Sequence, residues 1–170
     1  HTVTRRQRQM CIRDRKEPVS EFLKEINSPK DLKKLNLEQL NILADELREF
    51  LLYSVSQSGG HFGAGLGAIE LTIALHSILN LPDDKIVWDT GHQAYPHKIL
   101  TGRKDKMHLM RKLNGIAAFP SITESAYDAM SVGHSSTSIS AALGMNEANL
   151  SKDNKKNVFA VIGDLSLIHI

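Results

Sequence analysis

Cysteine is almost absent. The 170 residues contain one, Cys11, which excludes a disulfide framework and a cysteine metal site and suits a reducing compartment. No apolar run approaches the roughly 20 residues that span a bilayer, and the basic start lacks the apolar segment of a secretory signal. The chain is therefore expected to be soluble and cytoplasmic, with no membrane partner. It has no internal repeat and no low-complexity tract. Strong charge of one sign is missing too. Residues 1–15 hold five arginines and one aspartate, a net +4, against +2 for the whole chain, so residues 16–164 carry about −2. The basic balance belongs to the first 15 residues and is no argument for nucleic acid.

Those first residues stand apart for a second reason. Met10-Cys11-Ile12-Arg13-Asp14-Arg15 is the translation of a transposon-end oligonucleotide used in sequencing libraries. Leu165-Ser166-Leu167-Ile168-His169-Ile170 is the translation of its reverse complement. Residues 1–15 and 165–170 are accordingly expected to be non-native adaptor-derived segments, and 16–164 the biological part. Within that part, 41% hydrophobic and 24% charged residues over the whole chain are ordinary for one globular domain.

What is present is organised around Gly59-Gly60-His61-Phe62-Gly63-Ala64-Gly65-Leu66-Gly67. Five glycines in nine residues let backbone N–H groups approach a ligand and adopt positive φ. The run is expected to feed a helix at about Leu66, whose N-terminus would favour an anion. His61 lies in the turn. On the residues alone, a tight helix–helix turn with a surface histidine is an equal reading.

Before this run, Ser28-Pro29-Lys30-Asp31 has the form of a helix start, and Asn36 with Gln39 forms a second. Leu37, Leu40, Leu43, Leu47, Phe50 and Leu51 then recur at helical spacing, predicting a long core-facing helix to about Val55. After the run, residues 68–79 are apolar almost all round and predict a buried helix. Glu70 on it is expected to be hydrogen-bonded and His76 a satisfied core histidine. Residues 85–89 predict a buried strand ending in Thr90-Gly91-His92-Gln93-Ala94-Tyr95-Pro96-His97-Lys98, at the edge where open α/β sheets bind ligands.

Farther on, 103–113 predicts a basic amphipathic helix with a solvated face, stopped by Asn114-Gly115. Residues 129–132 predict a short strand running into Gly133-His134-Ser135-Ser136-Thr137-Ser138. That hydroxyl-rich turn should open a helix of small residues from Ile139, with a start suited to an anion. No G-x-S-x-G elbow surrounds these serines, which disfavours a Ser-His nucleophile. Residues 157–162 predict the clearest buried strand, ending in Gly163-Asp164, where a carboxylate is placed for Mg²⁺. Strands alternating with helices argue for an α/β fold with a mostly parallel sheet and helices on both faces.

The stretch from about Leu40 to Asp164 resembles the N-terminal part of the 1-deoxy-D-xylulose-5-phosphate synthases, within the transketolase-like thiamine diphosphate enzymes. Ser58-Gly59-Gly60-His61-Phe62, the run from Trp88 through Arg103, Ser131 through Ser140, and Val161-Ile162-Gly163-Asp164 carry the resemblance. It implies a truncated thiamine diphosphate-binding fold. It also implies thiamine diphosphate contacts from His92, Gly133, His134 and Ser135, Mg²⁺ ligation by Asp164, and His61 and His92 near the reacting carbon. The implied substrates are pyruvate and glyceraldehyde 3-phosphate, the implied cofactors thiamine diphosphate and Mg²⁺, and the implied assembly a homodimer. The product would feed isoprenoid, thiamine and pyridoxal synthesis. The chain departs from the pattern after Gly163-Asp164, where Leu165-Ser166 replaces a small residue and a helix leading to an asparagine ligand. The expectation is an inactive fragment. The alternatives are another transketolase-like enzyme and a non-enzymatic cofactor-binding or dimerisation module.

Overall fold

A computed structural model describes residues 16–134, 136–152 and 155–167. The elements in chain order are α1 (Pro29–Leu32), α2 (Leu37–Ser58), α3 (Phe62–Leu66), α4 (Ile69–Ile78), β1 (Lys85–Trp88), α5 (Tyr95–Lys98), α6 (Ser138–Ser151), β2 (Val158–Val161) and α7 (Asp164–Leu167). Short 3₁₀ turns cover Leu23–Glu25, Gly91–Ala94 and Lys104–Leu109. No described helix is long and apolar enough to cross a membrane.

The two helix starts read from the sequence form as capping boxes. Ser28 pairs with Asp31 at α1, with Pro29 in the first turn, and Asn36 pairs reciprocally with Gln39 at α2. At α2 both bonds measure 2.9 Å and satisfy two otherwise orphaned N–H groups. Its stripe is core-facing as expected, with Leu43, Leu47 and Leu51 fully buried, although Leu37 stays exposed. Gly59, at φ 77°, ends the helix in the left-handed region that suits glycine. These leucines pack with Ile69 and Ile73 of α4 and with Tyr95, Ile99 and Leu100 in the main core.

A second core layer joins Leu75 and Leu79 to Ile86, Trp88, Ala94 and Val161. It sits under β1 and β2, which pair in parallel with Lys85 opposite Val158 and Trp88 opposite Val161. The ladder continues past both ends, through Lys85 N–H to Asn157 O and Asp89 N–H to Val161 O, each at 2.8 Å. Helix α6 packs on both strands. The α/β class thus holds, with a parallel sheet of two strands among the described residues.

Four local expectations fail. Residues 129–132 form no strand, because the one backbone bond from Val132 goes to Pro120 O at 3.2 Å in a crossing of loops. Residues 103–113 form a 3₁₀ turn and irregular turns in place of an amphipathic helix, with Arg111 and Asn114 at φ 67° and 60°. Arg103 is buried rather than solvated, and Lys104 donates to the carbonyls of Leu23, Lys24 and Ile26. Helix α4 is not buried all round, since Leu71 and Ile78 are 48% and 69% exposed. Nor is β2 the most buried strand. Phe159 is 40% exposed, whereas three of the four β1 residues are buried.

The glycine run also folds differently. A helix of five residues, α3, forms inside it with His61 at its N-cap, and the following helix starts only at Ile69.

Candidate functional site

β1 ends at Trp88 and delivers the Gly91–Ala94 turn. Gly91 N–H donates to Gly133 O at 3.1 Å, which ties this turn to the turn that opens α6. His61, at the N-cap of α3, faces the same place. The ring centroids of His61 and His92 are 4.1 Å apart and edge-on, and those of His92 and His134 are 6.3 Å apart. Three imidazoles from three separate segments therefore meet at the carboxyl end of β1. His61 and His134 are exposed and His92 is half-buried.

Gly163 closes the group. A Cβ built on it would lie 3.6 Å from Gln93 Nε2 and 3.7 Å from Thr90 Oγ1, so the Gly163-Asp164 turn backs onto the loop after β1. Asp164 is exposed at the first position of α7. Ser135 lies outside the described residues. The predicted residues His61, His92, Gly133 and His134 thus share one locality, with Asp164 on the adjoining turn.

Burial pushes the His92 ring below the ordinary histidine range, and the positive fields of His61, Arg111 and His134 push the same way. A half-buried imidazole held neutral is a donor on one nitrogen and an acceptor on the other. Phe119 packs on it edge-on at 4.7 Å.

Sequence reading overlooked Asp89, which the structure makes the organiser of the α6 turn. Its carboxylate is 1% exposed. Oδ1 accepts from Ser136 N–H at 2.9 Å, Ser138 N–H at 3.3 Å and Ser138 Oγ–H at 2.7 Å, and Oδ2 accepts from Ser166 Oγ–H. Burial alone would raise this carboxyl, but the four bonds outweigh it and hold it below the usual range. The anion that favours the start of α6 is therefore supplied by the chain itself. The signal was available, since a carboxylate just past a buried strand was the reason for selecting Asp164.

The other histidine of the loop, His97, is structural and pairs with His76 of α4. His97 and His76 are fully buried. His76 Nδ1 lies 2.7 Å from Thr72 O, its Nε2 2.9 Å from His97 Nδ1, and His97 Nε2 3.1 Å from Asp128 Oδ1. His76 is thus a core histidine, as expected, with a polar partner at each ring nitrogen. Burial first, and His97 second, push it down to about 3. Glu70 pairs with Arg48 on the surface, as a hydrogen-bonded carboxylate.

The residues fit a polar ligand in part. Gln93 Oε1 is buried without a hydrogen-bond partner beside Gly163, which leaves an acceptor for a ligand donor or a cation. The space over Gly133 is open, because an added Cβ would meet nothing within 4 Å. Among the described residues no group of three or more His, Cys, Asp or Glu side chains is placed to hold a metal.

Parallel strands whose carboxyl ends carry glycine turns and converging imidazoles define an α/β protein, with those groups at the edge where open α/β sheets bind ligands. More narrowly, the chain belongs to the 1-deoxy-D-xylulose-5-phosphate synthase family, which it matches over residues 23–169. It is 60% identical over 153 residues to the 1-deoxy-D-xylulose-5-phosphate synthase of Ectopseudomonas mendocina (strain ymp), covering 90% of this chain and 24% of that protein. The corresponding enzyme of Pseudomonas fluorescens (strain Pf0-1) is 58% identical over 153 residues, with the same 90% and 24% coverage. That of Saccharophagus degradans is 57% identical over 150 residues, covering 88% of this chain and 23% of that protein. The chain spans about a quarter of the length of the curated relatives it matches.

Proposed function

We propose that this chain is the N-terminal part of a thiamine diphosphate-dependent synthase that joins pyruvate to glyceraldehyde 3-phosphate, releasing CO₂ and forming 1-deoxy-D-xylulose 5-phosphate. The observation that carries the reading is the meeting of His61, His92 and His134 at the carboxyl end of β1, in a chain of this family. When bound, thiamine diphosphate supplies the carbon nucleophile and the electron sink for decarboxylation. The chain's own residues do the rest. His92 and the Gly133-His134-Ser135 turn hold the cofactor, and Asp164 offers a hard oxygen to Mg²⁺. His61, exposed at the head of α3, would bind substrate and take or give a proton there. The intact enzyme is proposed to be a cytoplasmic homodimer, with residues 1–15 and 165–170 of this sequence foreign to it.

The chain alone is proposed to be inactive, because it spans only about a quarter of the length of the relatives it matches. The test joins residues 16–164 in frame to the remaining three quarters of a relative and assays product from pyruvate and glyceraldehyde 3-phosphate. The fused enzyme should turn over. Its His92→Ala variant should need about tenfold more thiamine diphosphate for half-maximal rate, the effect of losing one hydrogen bond to a charged ligand. Turnover by the isolated chain would overturn the fragment reading. A fused enzyme whose cofactor requirement ignores His92→Ala would overturn the site.

A further inference from the structure

A buried charge cluster lies beside the site and is not used by the proposed chemistry. Lys98 is fully buried and Arg103 is 6% exposed. Both reach Glu124 Oε1, Arg103 at 2.8 Å, and Arg103 also grips Asp128 with Nη1 at 2.7 Å and Nη2 at 2.9 Å. Taking such charges out of water is expensive, and pairing them seldom yields net stability over an apolar core. What the cluster does deliver is geometry. Each carboxylate keeps hydrogen-bonding capacity for the loop above it. Glu124 Oε2 accepts from Ala117 N–H at 2.6 Å, and Asp128 Oδ2 accepts from Ser121 N–H at 2.9 Å.

Those two amides flank Phe119 by two residues on either side. The loop is therefore pinned on both sides of one aromatic ring, and that ring stands edge-on to His92 at 4.7 Å and 81°. The fit is close enough to dictate a neighbour. A Cβ on Gly91 would lie 2.3–2.7 Å from atoms of Phe119. Glycine at 91 is what lets the ring sit against the His92 turn. His61 packs the His92 ring at 4.1 Å, so His92 is flanked by Phe119 and His61.

We propose that Phe119 is a positioning residue for His92, and that Lys98, Arg103, Glu124 and Asp128 form the mount that holds it. Phe119 fixes the orientation of the imidazole and excludes water from one side of it. Its role in catalysis rests on the reading of His92 as a cofactor contact. Its effect on the imidazole does not, and is measured without cofactor or turnover.

The experiment follows the histidine ring resonances of this chain by NMR across pH, with Phe119→Ala, Phe119→Leu and Glu124→Gln as variants. The charged and titratable groups facing His92 are His61, Arg111 and His134, and none is altered. Water readmitted beside His92 in Phe119→Ala should raise its titration midpoint by about half a pH unit or more, because desolvation is the leading cause of its depression. Phe119→Leu and Glu124→Gln should raise it less, and the exposed His108 should not move. A His92 midpoint unchanged in folded Phe119→Ala overturns the proposal. Should the alanine variant fail to fold, Phe119→Leu decides. A rise at His92 with His108 fixed supports the proposal, and no rise overturns it.

Discussion

Asp89 shows how one residue can set a site without touching a ligand. Removing its carboxylate would leave Ser136 N–H, Ser138 N–H and the Ser138 hydroxyl without their buried acceptor. Asp89→Ala should destabilise the chain by about 2–3 kcal/mol, the range for a charged hydrogen-bond acceptor lost from the interior. Asp89→Asn, which keeps an acceptor oxygen, should lose about 1 kcal/mol. Urea unfolding of the two variants checks both figures, and equal losses would contradict the clamp. Gly91 is a second such residue. Gly91→Ala should displace Phe119, read as a change in the aromatic ring-current shifts of His92, because its Cβ would overlap that ring. The sequence marks Asp89 as a carboxylate just past a buried strand but shows the partners of neither residue. The partners of Asp89 lie 47, 49 and 77 residues away, and Phe119 lies in a loop with no periodicity to read.

At the scale of elements, local chemistry was highly legible where it closes on itself. The capping boxes at Ser28 and Asn36 pair residues three apart, so they could be read directly and are present. Asn36→Ala should cost about 1 kcal/mol of stability by thermal or urea unfolding, and a cost near zero would mean that α2 is held by its leucine stripe alone. The errors fall where tertiary partners compete with local pattern. The spacing of basic residues over 103–113 suggested a solvated helix face. Arg103 instead serves the half-buried Glu124 and the buried Asp128, 21 and 25 residues away, and Lys104 caps carbonyls about 80 residues away. A segment whose polar groups are claimed by distant partners has no reason to close into a regular helix. The turn that opens α6 was read as open to an outside anion, but Asp89 fills that role.

Across the whole molecule, the buried histidines make stability depend on pH. His76 has an ordinary value of 6.5 and is pushed down to about 3 by burial. Between those limits the unfolded chain binds a proton that the folded chain refuses, so stability falls as pH falls, by up to about 1.4 kcal/mol per pH unit from this ring. His97 is shifted in the same direction. Asp128 is held far below the carboxylate range: burial alone would raise it, but hydrogen bonds from His97 and Arg103 prevail. Its stabilising contribution is present above its ordinary value of 3.8 and is lost only in stronger acid. The urea midpoint should therefore drop from pH 7 to pH 5, and His76→Gln should flatten that drop. An identical slope in the variant would show that His76 is protonated in the folded chain.

The sequence by itself determined the family, the α/β class, the starts of the first two helices and the four segments that carry His61, His92, His134 and Asp164, because each is written in contiguous residues or in short fixed spacings. Only the tertiary structure decided which groups those segments meet. It placed Asp89 under the α6 turn, Phe119 against His92, and Arg103 between Glu124 and Asp128. Such contacts join parts of the chain more than 20 residues apart through burial and exclusion of water, and burial is a property of the packed molecule rather than of any one stretch of it.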